Sequence, residues 1–414
     1  MNKKIFSWAL YDWANSVFYT TVMAGFFPIF FKQYWNTESS AATGTERLGW
    51  VLAFSGFLLA ILSPTLGVIS DKKQMKKKLL FSTMLLGALC TLGLYLVPQG
   101  DWISAALLYG MALFMASASG VFYDSLLTSV CREDQYEFVS SLGYSLGYLG
   151  GGILFTLNVA MTLNPEFFHI VDKAEAVKIS FISVALWWFV FTLPLLKNVP
   201  EPISIANNKG ILALTIETWN ELKILIQEVF SNKNLFYFLL GYWFYIDGIY
   251  TVMSMAVDFG LSLGLESSDL IKALLITQFV GFPSAYFFGS LSKRFSSKNL
   301  VLIGLFIYFI TILGASRISE PWHFYALAFI IGLCQGGVQA LSRALFAHLI
   351  PSGKSGEYFG FYNLLGKFAS VLGPLLVALF ARYTQDSRQT ILSLLILISV
   401  GAYFLYKVTV PKPV

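Results

Sequence analysis

The sequence predicts an all-α integral membrane protein: twelve transmembrane helices in two pseudo-symmetric six-helix bundles. Three observations predict it. The 414-residue chain is 56% hydrophobic and only 12% charged, against about 25% charged in soluble domains. Apolar runs of about 20 residues, long enough to cross a bilayer as a helix, recur down the whole chain rather than once. The two halves also repeat one another: Gly67 followed by Ser70-Asp71-Lys72 returns as Gly289 followed by Ser292-Lys293-Arg294, and Glu137-Phe138 returns as Glu357-Tyr358.

Taken in order, the first span covers 5–31, IFSWALYDWANSVFYTTVMAGFFPIFF. It is too long and too polar for a cleaved signal peptide, so it is read as a permanent helix. Spans at 47–69, 78–98, 103–126, 137–161 and 177–197 complete the first bundle, residues 1–197. The second bundle, 234–414, holds spans at 234–258, 268–290, 299–316, 322–349, 357–382 and 388–408. Between them lies the one long connection, 198–233. It opens with Pro200, Pro202, Asn207, Asn208 and Gly210. Leu212, Ile216, Trp219, Leu222, Ile226 and Val229 then recur at steps of three and four, with Glu217, Glu221 and Glu228 opposite and Lys223 breaking the pattern. This spacing predicts an amphipathic helix at the membrane surface, serving as a tether or as a site for a partner. Most Lys and Arg, including Lys72, Lys73, Lys76, Lys77 and Lys78, fall on the side of the two termini. Positive loops stay inside, so both termini are expected in the cytoplasm.

Polar residues inside spans are the candidates for function, because an ionisable group there is costly and faces a bundle interior or a water-filled path. Asp12 and Asn15 lie in the first span and Asp247 in the seventh. A carboxylate withdrawn from water takes up a proton readily, so either Asp can couple to protons or hold an ammonium. The alternative for Asp12 is a structural hydrogen bond to Asn15 or a nearby Tyr. Asp124 lies beside Tyr123 near a helix end, where it either serves a gate or faces water. Lys367 lies about ten residues into its helix, placed to pair with a carboxylate, to bind an anionic group or to snorkel. Gln335, Gln339, Ser342 and Arg343 form one polar stripe on the tenth span, with Arg343 able to clamp a carboxylate or to brace the helix end by an ion pair. Gly143, Gly147 and Gly150 to Gly152 predict close packing of the fifth helix; Tyr144 and Tyr148 face the interior with Tyr242 and Tyr245. The 3 Cys and 3 His are scattered, which suggests neither a disulfide framework nor a metal site. The net charge of +5 is spread over short loops, which argues against nucleic acid, and no Gly-x-x-x-x-Gly-Lys-Ser/Thr loop is present to hold ATP.

These features resemble the major facilitator superfamily along the whole chain. GVISDKKQMKKK at 67–78 is similar to its loop signature of Gly, three residues, Asp and then basic residues. ALYDWANS at 9–16, FVSSLGYSLGYLGGG at 138–152, YIDGIYT at 245–251 and GLCQGGVQALSRALFAHLIP at 332–351 resemble the branch of fungal vacuolar amino-acid effluxers of autophagy and their bacterial relatives. The resemblance implies a secondary transporter rather than an enzyme, working by alternating access about a midplane site between repeated halves. It also implies that the helices of Asp12 and Asp247 line a cavity, although their spacing differs from that of the repeat. The implied substrate is an amino acid or similar zwitterion, with a proton as coupling ion and no other cofactor; organic anions, metal chelates, drugs and a non-transporting receptor stay open. Gly67, Asp71 and Lys72 are then expected at a gate, with Asp71 capping a helix and pairing with Arg132, while Lys76 to Lys78 serve topology. Lys293 stands where Asp71 has its repeat equivalent, so that charge relay is not symmetric. A monomer in a bacterial cytoplasmic membrane is expected, short external loops and the absence of an Asn-X-Ser/Thr sequon fitting that better than a fungal vacuole.

Overall fold

The computed structural model describes residues 2–37, 41–202, 223–318, 320–351, 353–368, 372–384 and 387–409. Among these residues every regular element is helical. Ten helices are long and apolar enough to cross a membrane, and a bent pair makes an eleventh. The first half runs through α1 (Lys3–Trp35), α2 (Ala41–Lys73), α3 (Lys76–Leu96), α4 (Trp102–Ser125), α5 (Tyr136–Leu163) and α6 (Lys173–Asn198). The second runs through α7 (Lys233–Ser262), α8 (Ser267–Leu291), α9 (Ser297–Ala315), α10 (Pro321–Leu349), α11 in two segments (Ser355–Phe368 and Leu372–Thr384) and α12 (Leu394–Lys407).

Short polar residues start several of these helices by accepting their first free N–H groups. Asp101 accepts from Ser104 at the head of α4, and Asp172 accepts from Glu175 at the head of α6. Glu320 and His323 form a reciprocal cap on α10, with Pro321 in its first turn. Gln74, at a left-handed φ of 52°, turns the chain from α2 into α3. α1 exceeds its expected bounds, and its later half winds in wide π-helical turns over Phe18–Phe26 and Phe31–Trp35.

Within the first half α1 packs on α5 and α6, and α3 packs on α4 and α6. Within the second, α10 packs on α8 and α9, and α12 packs on α7 and α9. The halves meet along α2 with α11 and along α5 with α8 and α10. Small residues allow these approaches, as in membrane helix pairs generally: a Cβ on Gly67 would lie 2.2 Å from the carbonyl oxygen of Gly356. α2 lies along the Ser355–Phe368 segment of α11, whereas Leu372–Thr384 packs on α7 and α12. The halves are therefore pressed together at the face where α1 begins and α12 ends, called here the terminal face.

One expectation meets a limit and one is corrected. The eleventh span is described as Ser355–Phe368 and Leu372–Thr384, residues 369–371 lying outside the described ones. The buried carboxylate of Asp247 accepts from the amides of Leu372 and Gly373 at 3.0 and 2.8 Å, the first described amides of the second segment. In the linker, residues 203–222 lie outside the described residues, with Leu212, Ile216, Trp219, Leu222, Glu217 and Glu221 among them. The helix 223–231 follows, and its buried stripe is Leu225 and Val229, while Ile226 is exposed. Glu228, though part exposed, reaches the second half, accepting from Lys354 at 3.0 Å and from the Tyr358 hydroxyl at 2.6 Å. The Tyr358 hydroxyl, and after it Lys354, holds its carboxyl below the usual range.

Candidate functional site

A buried arginine joins the two halves. Arg343 of α10 is 2% exposed and reaches into the first half. Its Nη1 donates to Asp124 Oδ1 of α4 at 3.0 Å, and its Nη2 donates to Asp12 Oδ2 of α1 at 3.2 Å. Its Nε donates to Ser140 Oγ at 2.8 Å and Nη2 also to the Ser140 carbonyl at 2.9 Å. Tyr123 donates its hydroxyl to the same Asp12 oxygen at 2.8 Å, and Asn363 of α11 donates to Asp124 Oδ2 at 3.1 Å. The guanidinium carbon lies 4.5 Å from the ring centroid of Tyr144, 4.9 Å from that of Trp8 and 5.4 Å from that of Tyr123.

Local sequence explains how so many groups converge. Asp12 and Trp8 are four residues apart and share one face of α1. Trp8 stacks on Tyr123 at 4.4 Å and donates its indole N–H to that residue's carbonyl. Gly143 leaves the room: a Cβ there would lie 2.5 Å from Asp12 Oδ2, 3.0 Å from the Tyr123 hydroxyl and 3.1 Å from Arg343 Nη2. Gly147, one turn on, brings α5 equally close to Ser16. One guanidinium is shared by two carboxylates, so the cluster holds an excess of negative charge when all three groups are ionised. Asp12 and Asp124 are 15% and 14% exposed, so solvent reaches the carboxylates but hardly the guanidinium.

A second layer of ties lies nearer the terminal face. Asp71 pairs with Lys76 at 2.7 Å and accepts the Glu357 amide at 3.0 Å, capping the start of α11. Lys76 donates to Ser355 at 2.8 Å. Glu137 of α5 accepts from Ser297 of α9 at 3.0 Å and meets His348 Nε2 of α10 at 3.1 Å. Ser63 donates to the Gly360 carbonyl at 3.1 Å, and Ser140 donates to that of Ala340 at 2.7 Å. Every one of these pairs but Asp71–Lys76 spans the halves.

The expected site residues divide accordingly. Asp12, Asp124, Tyr144 and Arg343 come together, joining what the sequence offered as separate coupling and gating groups. Gly67 and Asp71 hold α2 against α11, and Lys72 follows in the last turn of α2. Arg132 does not pair with Asp71: it lies beside Asp134 at 2.9 Å, exposed, and borders a cavity of about 680 Å³ with Tyr136, Glu201 and Pro351. Lys76, read as topological, takes that partnership instead because the Gln74 turn folds it back, and it is buried. Asp247 stands apart from Asp12, against the amides of Leu372 and Gly373. Gln335 donates to the Tyr148 hydroxyl at 2.7 Å and Gln339 is buried beside it on α10, as the stripe predicts. Tyr245 does not face the interior between the halves: it is wholly buried in the second, bonded to Ser342 at 2.6 Å. Asn15 is buried but does not bond Asp12, its Oδ1 meeting no donor among the described residues. The Lys367 side chain lies outside the described residues. Trp8, Tyr123, Ser140 and Asn363 were missed. Asn363 carried the same signal as Asp12, a polar group inside an apolar run.

The sequence profile described as "Vacuole effluxer Atg22 like" matches residues 50–413. The MFS-type transporter YxiO of Bacillus subtilis (strain 168) is 38% identical over 402 residues, covering 96% of this chain and 93% of that one. Autophagy-related protein 22 of Eremothecium gossypii is 24% identical over 446 residues, covering 94% and 87%. Among solved structures, the proton:xylose symporter XylE superposes with a TM-score of 0.74 at 12% identity over 98% of this chain and 95% of that chain. FucP, solved in the outward conformation, superposes with a TM-score of 0.71 at 11% identity over 99% and 100%. At these identities the superpositions establish the fold.

Proposed function

Because this chain belongs to the vacuole effluxer Atg22-like family and has the fold of the major facilitator superfamily, we propose that it moves an amino acid or similar small zwitterion by proton-coupled alternating access. That it is a multi-pass MFS transporter and not an enzyme follows from its relatives. The substrate and the coupling ion are our reading. The observation that carries it is Arg343 of the second half buried between Asp12 and Asp124 of the first.

These ties are made only while the terminal face is closed. If residues 1–197 and 234–414 rock as bodies, joined by 198–233, opening that face draws Arg343 away from both carboxylates. Two like charges are then left in a largely buried site without their counter-ion, which is unfavourable unless a cation or proton replaces the guanidinium. That requirement couples opening to ligand and proton. An organic-anion substrate fits less well, since each nitrogen of Arg343 already donates. The lysine-rich turn at 72–78 supports a cytoplasmic terminal face, and a bacterial cytoplasmic membrane is the proposed location. One chain carries both sides of the site, so the working unit proposed is a monomer.

The test is counterflow in proteoliposomes with labelled amino acids, with and without an imposed pH gradient. Gradient-driven accumulation that is lost in Asp12→Asn and in Asp124→Asn supports the reading. Folded protein that exchanges no amino acid in the panel overturns it.

A further inference from the structure

The groups around the Arg343 guanidinium come almost entirely from one half. Asp12, Asp124 and Ser140, and the rings of Trp8, Tyr123 and Tyr144, all belong to residues 1–197. They are arranged before Arg343 arrives, by bonds among themselves: Tyr123 donates to Asp12, and Trp8 stacks on Tyr123 and bonds its carbonyl. Two carboxylates walled by aromatic faces make a receptor for an organic cation. Asp12 Oδ1 accepts from no donor among the described residues, and its carboxylate is partly exposed. The box therefore keeps attraction for a second cation even while Arg343 is in place.

We propose that this box is the receptor for the substrate's protonated amine, and that Arg343 is a tethered plug occupying it while the terminal face is closed. The proposal rests on the transport reading above and names which end of the zwitterion is held, and by which half. An amine reaching the partly exposed edge of the box finds Asp12 Oδ1 free to accept it. As the terminal face opens, the plug withdraws with α10 and the amine takes over both carboxylates. The substrate's own carboxylate is not what Arg343 binds.

Two measurements test this. In the first, L-leucine counterflow by the wild-type chain is challenged with 3-methylbutylamine, which lacks the carboxylate, and with 4-methylpentanoate, which lacks the amine. The amine is expected to inhibit within about tenfold of the concentration of unlabelled leucine, the acid to be more than tenfold weaker, a gap set by one charge-assisted hydrogen bond. Inhibition by the acid and not by the amine overturns the proposal while leaving amino-acid transport standing. The second measurement needs no transport. Arg343→Ala in detergent is expected to regain thermal stability on addition of methylguanidinium at millimolar concentration, and the double variant with Asp12→Asn is not. Equal response of the single variant, the double variant and the wild type overturns the receptor, whatever the substrate proves to be. Should Arg343→Ala not fold alone, its expression in the presence of methylguanidinium gives the same comparison, and no rescue there counts against the proposal.

Discussion

Arg343 and its partners carry the sharpest expectations at the level of single residues. Removing one partner of a buried ionic cluster leaves the others uncompensated, at a cost of about 3–5 kcal/mol. Arg343→Leu is therefore expected to lower the melting temperature of the detergent-purified chain well beyond the loss caused by a surface change such as Arg132→Leu, whose pair is exposed. Asp247 poses a different question, because both of its oxygens accept backbone amides of α11 and Thr251 adds a longer contact at 3.3 Å. Asp247→Ala should cost about 1–2 kcal/mol, as loss of an N-cap does, and hydrogen exchange should rise first in Leu372–Thr384. If exchange there is unchanged while proton-driven uptake is lost, Asp247 is a coupling group and not a cap.

Helices meet where side chains are smallest, so added volume is the probe at the level of elements. Gly67→Val places atoms where the Gly356 carbonyl now lies 2.2 Å from an ideal Cβ, and neither backbone can give way cheaply. The expected outcome is separation of α2 from α11 at the terminal face, read as faster maleimide labelling of a cysteine placed at Ser355. The helix 223–231 offers a titration. Its Glu228 carboxyl is held below the usual range by the Tyr358 hydroxyl and by Lys354, so it binds protons less readily when docked than when free. The tie accordingly adds stability at neutral pH and loses it only as pH falls through that lowered value, beneath the ordinary range near about 4. Glu228→Gln should remove this dependence from protease cleavage of the linker; an unchanged profile would assign it to another group.

For the whole molecule, the ionic ties between the halves lie toward the terminal face, while Gln335 and Tyr148 join them near the middle of α10 and α5, and the proposed function makes that face a gate. Cysteines at Ser63 and Gly360, whose side-chain oxygen and carbonyl oxygen are 3.1 Å apart, in a chain lacking Cys90, Cys131 and Cys334, are expected to cross-link and arrest counterflow. Reduction should restore it. Full activity with the cross-link intact would mean that these helices do not part during transport.

What the sequence determined by itself was everything set by transfer from water: a membrane protein, its helices to within a few residues, and the cost that marks Asp12, Asp124, Asp247 and Arg343 as residues with a purpose. Repeated motifs added the two halves, and the glycines of α5 announced a close neighbour. These signals are local, because each depends on a residue and on others within a few turns of it. Only the tertiary structure decided partners. Asp12 and Arg343 lie on α1 and α10, and no periodicity relates them; Asp71 chose Lys76 over Arg132 because one turn at Gln74 folds back. Asp247 met the amides of Leu372 and Gly373 because that part of α11 packs on α7. Charge says that a buried group needs a counterpart, but which counterpart it meets is fixed by how the helices pack.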